Sequence, residues 1–402
     1  MSKLEKLIEE LCPDGSEYKK IKDVYKRIKG TPITAGKMKE IDNPNGEIRI
    51  FAGGKTVINA IEDDIPKANI TRVPAVLVQS RGVIDAIYYN KPSTFKNEMW
   101  AYTAESTTAV KYLYYILKNN ITHFREAASG MGSLPQISLP VTEEFVIPVP
   151  PLPVQKEIVR ILDNFTELTA ELTAELTARN KQYEYYRDEL LNFNGQLDIA
   201  VQWAKLGEIA DVTKLAGFEF TEHVQYSDEG TIIAIRGLNV KNGCIELSQV
   251  KYIDGSNFAK LTRSKLIIND MLFTYVGTVG QVALIDKDDK YYLAPNVARI
   301  RFLNKDINPV FMRYYFQTNT FIDKQIKKYM ESSSMKNLTM ENIRKFIIPI
   351  PSLAEQDRIV SILGRFEALC NDITSGLPAE IEARTKQYEY YRDKLLTFKE
   401  LV

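Results

Sequence analysis

The sequence predicts an α+β protein, with two pseudo-symmetric α/β domains separated by two long helices that pack as an antiparallel coiled-coil pair. Three observations predict it. The segment KQYEYYRDELLNF at 181–193 returns as KQYEYYRDKLLTF at 386–398, changed only at Glu189/Lys394 and Asn192/Thr397. The match extends upstream, IPVPPLPVQKEIVRILDNF (147–165) against IPIPSLAEQDRIVSILGRF (348–366), at an offset of 201. Both shared stretches space apolar residues three or four apart, as a helix does. The chain ahead of each alternates short β-branched and aromatic runs with Gly, Asn and Pro turns, as strands do.

Bulk properties frame the elements. A chain of 402 residues with 45% hydrophobic content can bury the cores of two domains. Lys+Arg and Asp+Glu each number 52, so any binding to nucleic acid must come from a local patch. Cys12, Cys244 and Cys370 are scattered without CxxC spacing, which excludes a cysteine-built zinc site and suits a reducing compartment. His123 and His223 stand in unrelated contexts, which argues against histidine acid–base chemistry or a histidine metal site. The opening MSKLEKLIEELCPDG is amphipathic, with no apolar core of a signal peptide, and no later run is apolar enough to span a bilayer. The expected location is the cytoplasm, and neither cofactor nor metal is expected.

The first α/β domain is expected over 1–151 and the first helical spacer over 152–195. PPLPVQKEIV opens that spacer with prolines where a chain can enter a helix but not lie inside one. Ile158, Ile161, Leu162, Phe165, Leu168, Leu172 and Leu176 form its apolar stripe, continued by Tyr183, Tyr186, Leu190 and Phe193. Some 40 residues would make a rod about 60 Å long that needs a partner helix along that stripe. Within it, TELTAELTAELTA (166–178) repeats every four residues. Each unit advances a helix by about 6 Å and about 400°, so one could be added or lost with the leucine seam turned by only about 40°.

The second α/β domain is expected over 196–351 and the second spacer over 352–402. QWAKLGEI (202–209) resembles EYKKIKDV (17–24), and LFTYVGTV (272–279) resembles LVQSRGV (77–83) with Gly277 matching Gly82. The offset therefore drifts from 185 through 195 and 201 to 205, the mark of one ancestral unit with unequal insertions. Ile359, Ile362, Leu363, Phe366, Leu369, Tyr388, Tyr391, Leu395 and Phe398 supply the partner stripe, interrupted at SGLP (375–378), where Pro378 restarts the helix. NPVF (308–311) reads as a helix entry; it lacks the second proline and the glycine-rich loop of an adenine methyltransferase.

Two unlike α/β units, each followed by a helix that opens with P-x-x-x-x-Q-x-x-I-V-x-I-L and closes with K-Q-Y-E-Y-Y-R-D-x-L-L, resemble the specificity subunit of a Type I restriction-modification system. The resemblance covers nearly the whole chain. It implies two target-recognition domains, each binding one half of a split, asymmetric double-stranded DNA site. It also implies helices that dock two copies of an adenine-N6 methyltransferase subunit, and a motor-nuclease subunit recruited through the complex. Catalysis would lie with the partners. Two equivalent docking faces would explain why the thirteen-mer occurs twice. The docking and helix-pairing residues would be Tyr183, Tyr186, Arg187 and Leu190 in the first copy, with Tyr388, Tyr391, Arg392 and Leu395 in the second.

Candidate DNA contacts follow from residue type. KKIKDVYKRIKGTPITAGKMK (19–39) has eight Lys/Arg and one acid, and Lys37 and Lys39 lie in its Gly/Pro/Thr-rich part, suited to phosphates. AGGKT (52–56) lacks the spacing of a nucleotide-binding loop but leaves Lys55 as a backbone contact. Around the matched glycines stand Gln79, Ser80 and Arg81 in one unit and Thr274, Tyr275 and Thr278 in the other. Arg can bond guanine O6/N7 and Gln adenine N6/N7; the alternative for Arg81 is a turn cap or a pair with Asp85. Ser133 in SGMGSLPQ, Ser334 and Lys336 in ESSSMKNLT, and Arg236, Asn239 and Lys241 in IRGLNVKNG complete the set. Two other readings stay open: a helical scaffold without sequence-specific DNA binding, and a fused methyltransferase.

Overall fold

The computed structural model describes residues 2–54, 56–129, 134–193, 200–215, 222–330, 337–371 and 376–401. The chain forms two compact units, Met1–Thr173 with Glu380–Val402, and Ala174–Ala379. The elements that build the first are α1 (Lys3–Leu11), β1 (Tyr18–Lys20), β2 (Lys26–Lys29), α2 (Ala35–Glu40), β3 (Ile48–Phe51), β4 (Val57–Ala60), β5 (Ala75–Gln79), β6 (Asp85–Tyr89), β7 (Ser93–Phe95), β8 (Trp100–Thr103), α3 (Thr107–Asn119) and β9 (Val146–Pro148). One unbroken helix, α4 (Leu152–Leu190, 39 residues), follows. The second α/β region holds β10 (Gln202–Lys205), β11 (Ala210–Lys214), β12 (Ile233–Ile235), β13 (Val240–Lys241), β14 (Cys244–Ile245), β15 (Met271–Thr274), β16 (Val282–Leu284), β17 (Tyr291–Leu293), β18 (Val297–Phe302), α5 (Pro309–Phe316) and β19 (Ile347–Ile350). It leads into α6 (Leu353–Asn371) and α7 (Leu377–Leu395). No helix among the described residues is long and apolar enough to cross a membrane.

The two units share one topology. An antiparallel sheet runs β2-β8-β5-β6 in the first and β11-β18-β15-β16 in the second. A parallel pair lies beside it, β3 with β7 in one and β12 with β17 in the other. A two-stranded tie joins the entry strand to the strand before the spacer, β1 to β9 and β10 to β19. Interior strands must be apolar on both faces. Accordingly AVLVQ of β5 is buried throughout: Val76 and Val78 enter the core against α3 and α4, Ala75 and Leu77 the core with Phe51 and Phe95. Met271 and Phe273 of β15 likewise face one cluster and Leu272 another.

Each unit fixes its first long helix to a spacer helix through one carboxylate. In the first, Lys111 Nζ (2.7 Å) and Tyr115 Oη (2.5 Å) of α3 donate to Asp163 of α4. In the second, Arg313 (3.0 and 2.6 Å) and Tyr314 Oη (2.6 Å) of α5 donate to Glu367 of α6. Asn308 caps α5 by accepting from the amides of Val310 and Phe311, the helix entry expected of NPVF.

The spacer helices pair as expected. Phe165, early in α4, stacks on Tyr391 of α7 with centroids 5.7 Å apart; Tyr186, late in α4, meets Phe366 of α6 at 5.8 Å. These are the same contact written twice, with the partners' order in the chain reversed, as an antiparallel arrangement requires. The leucines of the four-residue repeats are half-buried and their Glu residues exposed. In the second spacer α6 ends at Asn371 and α7 begins at Leu377, one residue ahead of Pro378; the break expected at SGLP falls partly outside the described residues, at 372–375.

The glutamine of the P-x-x-x-x-Q motif is structural. Gln155 Nε2 donates to the Pro150 carbonyl (2.8 Å), while its Oε1 is buried without a partner among the described residues. Gln356 Nε2 donates to the Pro351 and Asp306 carbonyls (2.9 Å each), and its Oε1 accepts from the Asn308 amide (2.8 Å). Stripping a buried group of its partners costs about 1–3 kcal/mol. Gln356→Ala should therefore lower the melting temperature of the chain clearly more than Gln155→Ala, as read by calorimetry.

Candidate nucleic-acid interface

Three loops converge at one end of the main sheet in each unit. The first is the β5–β6 or β15–β16 hairpin loop, turning at Gly82 (φ +77°) and Gly277 (φ +79°), left-handed conformations that favour glycine. The second follows the first parallel strand, at 52–54 and at 236–239. In the first unit Gln79 Nε2 donates across to the Gly54 carbonyl (2.6 Å), tying these two loops together. The third precedes the β9 or β19 region. The Ile137 amide donates to the Ser80 carbonyl and the Leu338 amide to the Tyr275 carbonyl, both at 2.9 Å, with bridges Arg81–Gln136 and Val276–Asn337 beside them. The frame is the same in both units; the side chains it displays are not.

Several residues expected to approach bases instead build this frame. Gln79 (5% exposed) and Ser80 (0%) are buried, Ser80 donating its hydroxyl to the Glu98 carbonyl. Thr274 (1%) donates to the Thr278 carbonyl and accepts from the Gln281 amide (3.0 Å). Asn239 (0%) donates to the Glu246 and Gln249 carbonyls at 2.9 and 3.0 Å. Tyr275 is buried too, which pushes its hydroxyl's pKa up, with Lys214 5.6 Å from its ring centroid. The physical reason is common to all: loops packed on one another must satisfy their carbonyls and amides, and short polar side chains do so.

What remains displayed is smaller. Arg81 is exposed and its guanidinium makes no hydrogen bond or ion pair among the described residues; Asp85 pairs with Lys118 (2.7 Å) instead. Thr278, Val276 and Lys241 are exposed, and Arg236 is half-buried with Nη2 on the Gln249 carbonyl (2.8 Å). Lys37 and Lys39 do not lie in an open loop: Thr34 caps the short helix α2, Met38 anchors it in a core, Lys37 pairs with Glu40 (2.8 Å) and Lys39 is exposed. Lys55, Ser133, Ser334 and Lys336 fall outside the described residues.

The repeated thirteen-mers separate into inward and outward residues. Tyr183 and Arg187 are buried in the second unit, the guanidinium 5.8 Å from the Tyr183 ring centroid and 3.0 Å from Asp188. Arg392 stands 5.6 Å from the Tyr388 ring centroid in the first unit, and Leu190 and Leu395 are half-buried in their own cores. These six face their own unit rather than outward. Tyr186 and Tyr391 are 41% and 38% exposed while stacking on the paired helix. The most exposed are Tyr185 (62%) and Tyr390 (63%), which the sequence reasoning passed over. Each packs edge-on against its neighbouring tyrosine, centroids 5.5 and 5.4 Å apart. Their signal was a tyrosine off the apolar stripe in both copies.

Comparison with known proteins agrees with this geometry. The family profile of the type I restriction modification DNA specificity domain matches residues 13–179 and 200–383. The Escherichia coli EcoR124I/EcoR124II type I restriction enzyme specificity subunit is 32% identical over 99% of this chain and 97% of its own length. Among solved structures, the Mycoplasma genitalium type I restriction-modification S subunit has a TM-score of 0.58 at 17% identity, covering 99% of each chain. A chain from a structure of type I restriction-modification complex assembly has a TM-score of 0.57 at 14% identity, covering 96% of this chain and 98% of its own. Those two share the fold. With two α/β units of one topology, paired spacer helices and the profile matched twice, the chain belongs to the family of type I restriction-modification specificity subunits.

Proposed function

We propose that residues 1–151 and 196–351 are two target-recognition domains, each reading one half of a bipartite, asymmetric site in double-stranded DNA. Residues 152–195 and 352–402 would be the spacers that set the half-site separation and dock two adenine methyltransferase subunits. The observation that carries this reading is the pair of three-loop clusters. One frame, built by the same backbone hydrogen bonds, displays Arg81 in the first unit and Val276 with Thr278 in the second. A shared frame with unlike side chains is what reading two different sequences requires, because base edges are distinguished by donors, acceptors and methyl contacts. The exposed lysines Lys39 and Lys241 would meet phosphates, which position the protein without specifying sequence. A motor-nuclease subunit would join through the assembled complex, and the chain itself would be noncatalytic.

Selection from randomised duplexes by the complex of this chain with its methyltransferase partner tests the reading. Two short unlike blocks at a fixed separation are expected; one contiguous block, or none, would count against it.

The docking role rests on Tyr185 with Tyr186 and Tyr390 with Tyr391, exposed aromatic pairs that recur at equivalent positions. Aromatic side chains of this kind dominate interface energetics, at about 2 kcal/mol or more when central. Tyr185→Ala should cost one methyltransferase copy and Tyr185→Ala with Tyr390→Ala both, read as complex mass by light scattering. Full assembly of the double variant would remove the assignment.

A further inference from the structure

The two loop clusters differ in one consequential way. Gln79 and Thr274 are equivalent positions, each three residues before the matched glycine. Gln79 is long enough to reach the Gly54 carbonyl and close the gap between loops. Thr274 is not, and its hydroxyl turns back onto Thr278 within its own hairpin. In the second unit no described residue closes the gap, and a cavity of about 600 Å³ lies between the hairpin and the 236–238 loop. A Cβ built on Gly82 would meet Gly54 and Leu134 at 3.8 Å, whereas one on Gly277 or Gly237 would meet nothing within 4 Å among the described residues.

The lining of that cavity has a definite chemistry. Leu238 and Val276 supply apolar walls, 49% and 36% exposed, and Tyr226, half exposed, supplies an aromatic face. Arg236 supplies the charge: Nη2 serves the Gln249 carbonyl, and Nε is buried without a hydrogen-bond partner among the described residues. Aromatic face, apolar walls and an underused guanidinium suit a flat ring with acceptors on its edge. A duplex with every base stacked offers only edges, so a ring face can enter such a cavity only if the base leaves the stack.

We propose that the second unit takes one nucleobase of its half-site, unstacked from the duplex, into this cavity, with Tyr226 against its face and Arg236 at its edge. The first unit, closed by Gln79, reads edges alone. This rests on the DNA-reading role proposed above, and it names Tyr226, Arg236 and Leu238 as specificity-determining residues.

The test uses the complex of this chain with its methyltransferase partner and a duplex carrying both half-sites. Each base in turn is placed opposite an abasic nucleotide, which removes the cost of unpairing it, and the dissociation constant is measured. At one pair of the second half-site, other than the methylated one, binding should tighten about tenfold or more, and at none in the first. Leu238→Trp, a change at an exposed position that fills the cavity, should abolish that gain, and so should Tyr226→Ala. The proposal is overturned if no such pair exists in the second half-site, if the first half-site shows the same gain, or if the gain survives both variants. In those cases the intact duplex still binds and the bipartite reading stands. If no duplex with two half-sites is preferred, both fall together.

Discussion

Deleting residues 170–173, one four-residue unit of the first spacer helix, is expected to shorten the unread gap between the two half-sites by one or two base pairs. The helix is continuous from Leu152 to Leu190, so four residues remove about 6 Å of rise. B-form DNA rises about 3.4 Å per base pair, which sets the size of the change. The deletion also turns the two parts of the helix by about 40° relative to one another, little enough for the seam to survive. Leu168, Leu172 and Leu176 are all half-buried, so after deletion one leucine can take the place of another. The methylated motif of cells carrying the deleted chain with its methyltransferase gives the answer directly. An unchanged gap would mean that the helix does not set the spacing.

Arg81→Ala is expected to relax one position of one half-site and leave the other half-site intact. The side chain is exposed, without a partner among the described residues, and held on a hairpin loop whose backbone is bonded to a second loop. A bidentate contact to guanine is worth about 1–3 kcal/mol of discrimination, or roughly fivefold to 150-fold in relative affinity at that base pair. Because the guanidinium packs in no core, the melting temperature of the complex should move little. Competition between duplexes that differ at single positions reads the effect. A uniform loss across all sequences would assign Arg81 to a phosphate instead.

The sequence carried much of this fold because the chain states it twice. The 201-residue offset marks both long helical stretches, and the apolar stripe predicts the partner that Phe165 and Phe366 find in Tyr391 and Tyr186. The compact units were less legible. The repeat read along the chain pairs each α/β region with the helix after it, yet Glu380–Val402 packs into the first unit and Ala174–Leu190 into the second. Antiparallel packing returns the end of the second spacer to the start of the first, a long-range consequence that local periodicity does not encode. The parallel pairing of β3 with β7 was hidden for the same reason.

The candidate site was legible in position and less so in role. Matching Gly82 with Gly277 found the hairpin loops, because a left-handed turn constrains residue type. Composition could not tell Arg81, which is displayed, from Gln79 and Ser80, which are buried two and one residues earlier. A polar residue in a loop reads as a surface residue until the loop is known to pack on another. Thr274 and Asn239 are such residues, buried where one loop packs on another, and the cavity beside Thr274 has no sequence signal of its own.

The most direct test of two domains reading two half-sites is to co-express the chain with its methyltransferase partner in cells without other adenine methylation and map N6-methyladenine by single-molecule sequencing. One split motif of two unlike blocks with a fixed number of free positions between them is expected. A contiguous or palindromic motif, or no new methylation from a well-formed complex, would contradict it.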